Sequence, residues 1–110
     1  RFIYHHSYLQ GRPMLELTPV QRKFLRSLAH DLKPVVTIGS SGLTEAVLRE
    51  AARSLDAHEL IKIRVLNDDR ALRQTHLLAI CEALEAAAVQ HIGKLLIIYR
   101  PADPPRIQLP

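Results

Sequence analysis

Apolar positions early in the chain recur at helical spacing, with Val20, Phe24, Leu25, Leu28 and Leu32 on the i, i+4 and i+8 rows of one face. Thr18, Pro19 and Gln21 supply an N-cap, a first-turn proline and a capping-box partner, so the pattern predicts a helix over residues 19–32 with that face buried. Arg22, Lys23 and Arg26 then fall on its remaining, basic surface. Pro34 stops the helix, and the β-branched run 35–38 predicts a short strand ending at Gly39. Gly39, Ser40, Ser41 and Gly42 form a loop before a second helix that opens at Thr44 and buries Val47, Leu48, Ala51, Ala52 and Leu55.

Residues 60–66 change period. Ile61, Ile63 and Val65 alternate with Lys62 and Arg64, which puts both cations on the strand face opposite the core residues. Asn67, Asp68 and Asp69 form a turn, and a third helix is expected over 70–86 with Leu77, Ile80, Cys81 and Leu84 inward. Residues 89–92, the Gly93-Lys94 turn and residues 95–99 read as a β-hairpin. The order is therefore α-β-α-β-α-β-β in a single α/β domain. Alternating strands and helices imply parallel pairing and the hairpin adds an antiparallel strand, which predicts a mixed four-stranded sheet covered by helices. The PADPP run at 101–105 excludes regular structure, and 106–109 has room to return as a short edge strand. Residues 1–13 show no sustained period and end just before Met14, the only methionine; they read as a tag or other non-native extension ahead of a domain over 14–110, with an ordered arm as the alternative.

Composition narrows the function classes. A chain of 110 residues is one domain's worth, and 47% hydrophobic with 24% charged residues is ordinary globular composition. Cys81, the single cysteine, excludes an intrachain disulfide and a four-cysteine zinc site, and no apolar run approaches the ~20 residues that span a bilayer. A reducing cytoplasm is the expected setting. Fifteen Lys and Arg against eleven Asp and Glu give a net charge of +4. Arginine dominates the cations, and its planar fork suits phosphate, so the balance favours a polyanionic partner.

Catalysis finds little to recruit. None of the six histidines makes a metal-ligand spacing in the patterned region, Asp68 and Asp69 read as turn residues, and Cys81 lies in a buried mid-helix position. No catalytic residue, metal or cofactor is expected. The Gly39–Gly42 loop lacks the lysine and spacing of a P-loop and the third glycine of a dinucleotide fingerprint. Its position between strand and helix would let backbone NH groups approach an anion, and short GxxG loops clamp nucleic-acid backbone in KH domains; a plain tight turn is the competing reading.

From Leu17 onward, LTPVQRKFLRSLAHDLKPVVTIGSSGLTEAVL, HELIKIRV, VQHIGKLLIIYRP and the closing IQLP resemble, in order and spacing, the CRM domain (chloroplast RNA splicing and ribosome maturation) in its bacterial single-domain YhbY-like form. The resemblance implies a fold similar to the C-terminal domain of translation initiation factor 3, RNA binding, and association with rRNA in precursors of the large ribosomal subunit. It carries the family's GxxG loop onto Gly39, Ser40, Ser41 and Gly42, and its basic surface onto Arg22, Lys23, Arg26 and Lys33, with Lys94 and Arg100 as additions from the hairpin. Relatives often hold a Lys or Arg inside the loop, whereas Ser40 and Ser41 are neutral, which shifts the burden to the first helix. The expected partner is thus rRNA of the pre-50S particle in the cytoplasm, with no membrane. The alternative is a protein-interaction module whose basic face meets an acidic ribosomal or assembly partner.

Overall fold

The computed structural model describes residues 3–7 and 12–110, with side chains from Leu15 onward. Two strands, β1 (Ile3–Ser7) and β2 (Arg12–Glu16), pair antiparallel. They precede α1 (Pro19–Ala29), β3 (Val36–Ile38), α2 (Glu45–His58), β4 (Leu60–Val65), α3 (Arg70–Leu84), β5 (Ala87–Ile92) and β6 (Leu95–Tyr99). The second sheet has four strands in the order β3-β4-β6-β5, with β3 parallel to β4 and the other two pairs antiparallel. The predicted mixed α/β sheet is therefore present, and the hairpin's second strand fills its interior.

Both faces of this sheet are used. On one, α2 and α3 pack Ala51, Leu55, Leu77 and Ile80 against Ile61, Ile63, Val65, Leu96 and Ile98. On the other, α1, Leu15 of β2 and the C-terminal segment cover Leu60, Tyr99, Ala87 and Val89. Caps fix the helix starts. Thr18 and Gln21 form the predicted capping box, Thr44 accepts from the Val47 N–H, and the Asp69 carboxylate accepts from Ala71 and Leu72. Within the described residues, no helix is long and apolar enough to cross a membrane.

Several expectations need correction. Helix α1 ends at Ala29, and of its predicted buried face only Leu25 is fully covered, joined by Ala29; Val20, Leu28 and Leu32 are exposed. A single helix lying on a wide sheet buries one narrow i, i+4 row and leaves its flanks in water. Lys62 is not on an open face but is 7% exposed, because its neighbours on that face are covered from one side by α1. Helix α3 stops two residues early, with Glu85 in the left-handed region (φ 54), and β5 starts at Ala87. No strand forms at 106–109: the backbone N–H groups of Arg106 and Ile107 are taken by the Glu59 carboxylate. Within the segment 1–13 that reads as an extension, residues 1, 2 and 8–11 lie outside the described part, while Ile3–Ser7 pairs in register with Arg12–Glu16 despite the absence of a visible strand period.

Candidate nucleic-acid interface

The sheet face under α1 consists of cross-strand rows. Leu60, Tyr99 and Ala87 form the first row and belong to the core. Lys62, Ile97 and Gln90 form the next, and Thr37, Arg64, Leu95 and Ile92 the one after. Covering stops along the middle row: Ile97 is buried, Gln90 is half-buried, and Arg64, Thr37 and Ile92 are exposed. What remains is a trough of about 640 Å³ with Gln90, Ile92, Leu95 and Ile97 in its floor. Lys23, Arg26 and His30 of the α1 segment and Lys62 of β4 border it, and Asp31 is the only carboxylate among its lining residues.

A β-bulge shapes this floor. The register shift between Ala88 and Gln90 leaves Val89 in the core under α1 and still presents Gln90 to the trough, two successive residues serving one face. The same irregularity explains Arg22. Its Nη1 donates to the Ala88 carbonyl, so Arg22 is half-buried and acts as a strut from α1 to the start of β5, while Lys23 and Arg26 line the trough. Three cations that look equivalent in sequence thus divide into one engaged strut and two that line the trough.

The glycine loop stands at the neighbouring sheet end. The Gly42 N–H donates to the Gly39 carbonyl at 3.0 Å, Gly42 has φ +73°, and Gly39, Ser40 and Ser41 are exposed. The Leu66 N–H bonds Ile38 and the Val65 N–H bonds Lys94, which brings the loop, the end of β4 and the β5–β6 turn to the same end. His76 of α3 sits below the loop, its Cε1 3.8 Å from where a Gly42 Cβ would be. Glu45 occupies the first turn of α2, so the dipole end behind the loop already faces a carboxylate.

The other carried-over cations have different surroundings. Lys94 Nζ lies 2.6 Å from Asp68 Oδ1 on the surface, and that hydrogen bond holds the Asp68 carboxyl below its usual range. Arg100 is a clamp, donating to the carbonyls of Leu84 at 2.9 Å and Ala52 at 3.3 Å and to Asp56 Oδ1 at 2.7 Å. It ties the ends of α2 and α3 to β6 and is not open to a ligand. Lys33 is exposed but lines a separate groove beyond the α1 C-terminus. The structure therefore groups Lys23 and Arg26 with Lys62, His30 and Gln90, and sets Arg64 beside them opposite Leu95, none of which the sequence reading assigned to the site. The signal for two of them was present, since Lys62 and Arg64 share one face by strand period.

Burial pushes the Cys81 thiol up to about 12, against a smaller opposing effect of Arg22, so it is no nucleophile at neutral pH. Within the described residues, no group of three or more His, Cys, Asp or Glu side chains could hold a metal ion.

Comparison with known proteins converges on one family. The sequence model of the CRS1/YhbY (CRM) domain matches residues 17–100. An RNA-binding protein of Haemophilus influenzae is 47% identical over 97 residues, covering 88% of this chain and 98% of that protein. A protein of Pseudomonas aeruginosa, named as a probable RNA-binding protein, is 39% identical over 95 residues, covering 86% and 91% of the two chains. The solution structure of a Staphylococcus aureus hypothetical protein superposes with a TM-score of 0.77 at 34% identity, covering 86% of this chain and all of that one. With matched sequence from Leu17 to Arg100 and a matching fold, the chain belongs to the CRS1/YhbY (CRM) domain family.

Proposed function

We propose that this protein binds RNA across the open half of its sheet and, as a cytoplasmic assembly factor without catalysis, docks on rRNA of large-subunit precursors. The observation that carries the reading is the convergence of Lys23 and Arg26 from α1 with Lys62 from β4 around one trough, with the exposed Arg64 on the next row of the same sheet face and the glycine loop at the adjacent sheet end. Relatives named for RNA binding support the ligand class. Phe24 is half-buried and Tyr99 fully buried, so neither is a stacking platform, and the chemistry offered is phosphate contact and shape rather than base readout.

Each neutralised phosphate adds roughly 0.7–0.9 to the slope of log affinity against log salt. Replacing Lys23, Arg26 and Arg64 together by alanine is expected to lower that slope by about 2–3 and to release the protein from precursor particles in sucrose gradients at moderate salt. Wild-type comigration with the large-subunit precursor should be lost on ribonuclease treatment. A protein that stays at the top of every gradient refutes the ribosomal reading, and an unchanged slope in the triple variant removes the trough from RNA binding.

A further inference from the structure

Beyond the C-terminus of α1, on the opposite side of Lys62 from the trough, lies a surface of different character. Leu28, Leu32 and Val35 are 42%, 38% and 46% exposed, and together with Ile107 they line a groove of about 460 Å³. Adjoining large aliphatic side chains held in water at one spot mark a contact surface more often than scattered exposure does. The charged and titratable groups lining the groove are Lys33, Lys62 and His58, with no carboxylate among them. Val35 leads into β3, which within the described sheet pairs only with β4 and so leaves its outer edge open beside the groove.

We propose that this groove receives an acidic segment of a partner protein, its aliphatic side chains seated among Leu28, Leu32 and Val35 and its carboxylates on the exposed Lys33, with the buried Lys62 adding positive charge beneath them. Charge selects the occupant. A second copy of this chain would set Lys33, Lys62 and His58 against the same three groups, which disfavours self-association. RNA would satisfy the cations, but the walls are branched aliphatics with no ring to stack a base and few polar groups to read its edge. A peptide with apolar anchors and flanking aspartate or glutamate meets both demands, and the open β3 edge can add main-chain hydrogen bonds. Lys62 borders both surfaces, but Leu28, Leu32, Lys33 and Val35 line only this groove, so the proposal would persist if the RNA reading failed.

The test uses the full chain with a photo-crosslinking p-benzoylphenylalanine at position 35, expressed in cells, irradiated and digested with ribonuclease before mass spectrometry. The expected product is a crosslink to a protein segment carrying carboxylates around aliphatic residues. That segment, synthesised with a fluorophore, should bind the wild-type protein and lose at least tenfold in affinity to L32S/V35S and, separately, to the exposed-site variant K33E. RNA binding by L32S/V35S should be unchanged. Crosslinks only to RNA, only to another copy of this chain, to a segment without carboxylates or to nothing would each overturn the proposal, as would equal affinity of the peptide for K33E.

Discussion

Glu59 stands where α2 turns into β4, in the left-handed region with φ 66° and only 1% exposed. Its carboxylate accepts from the backbone N–H groups of Ala102 at 2.7 Å, Arg106 at 3.1 Å and Ile107 at 2.9 Å. Burial alone would raise this carboxyl, but the three N–H groups and the Arg106 charge outweigh it and hold it below the usual range. Because the folded value lies below the unfolded one, the stabilisation is complete above the ordinary glutamate range and disappears as pH falls through the folded value. Glu59→Gln keeps the shape and removes the charge, so it should cost about 1–3 kcal/mol at neutral pH. In urea unfolding the gap between wild type and E59Q should be smaller at acid pH, below the ordinary glutamate range, than at neutral pH. A gap that is the same at both pH values would mean that the ionised carboxylate does not hold the tail.

At the scale of elements, the Gly39–Gly42 loop separates two glycines that look alike in sequence. Gly42 sits at φ +73° with His76 beneath it, whereas a Cβ at Gly39 meets nothing within 4 Å and needs no left-handed backbone. Gly42→Ala should lower stability by about 1–2 kcal/mol, and Gly39→Ala by less than about 0.5 kcal/mol, read as midpoint shifts in denaturant. Equal losses would show that backbone conformation is not what requires glycine at position 42. The periodic elements were legible: the alternation in β4, the apolar β6 and the capped start of α1 each report a local preference that tertiary packing kept. The face of α1 was not, because helical spacing identifies a stripe but not how much sheet lies beneath it. Leu28 and Leu32 continue the stripe past the row that the sheet covers.

Across the whole molecule, the candidate site divides in the same way. Lys23, Arg26 and the loop were readable, since exposed cations on a helix and a GxxG turn are local patterns. Arg22 and Arg100 were not distinguishable from them, because what occupies each guanidinium is a carbonyl distant in sequence: Ala88 at an interrupted ladder for one, Leu84 and Ala52 at two helix ends for the other. Lys62 and Arg64 needed the strand order, which tells which half of a face is left open. That order also has a consequence in time. Strand β6 lies between β4 and β5 and pairs with both, yet follows them in the chain. During synthesis β4 can find β3 early, but β5 has no neighbour until residues 95–99 emerge, so closure of the sheet waits for its final strand. A force-sensing translational arrest series should register folding as a single late event once Tyr99 has cleared the ribosome; an earlier event from chains ending before Leu95 would contradict it. Until then the basic helix α1 is already outside while its hydrophobic row lacks the strand it covers, and a newly made molecule meets the crowded surface of the ribosome first as an unfinished chain that leads with the cations of α1.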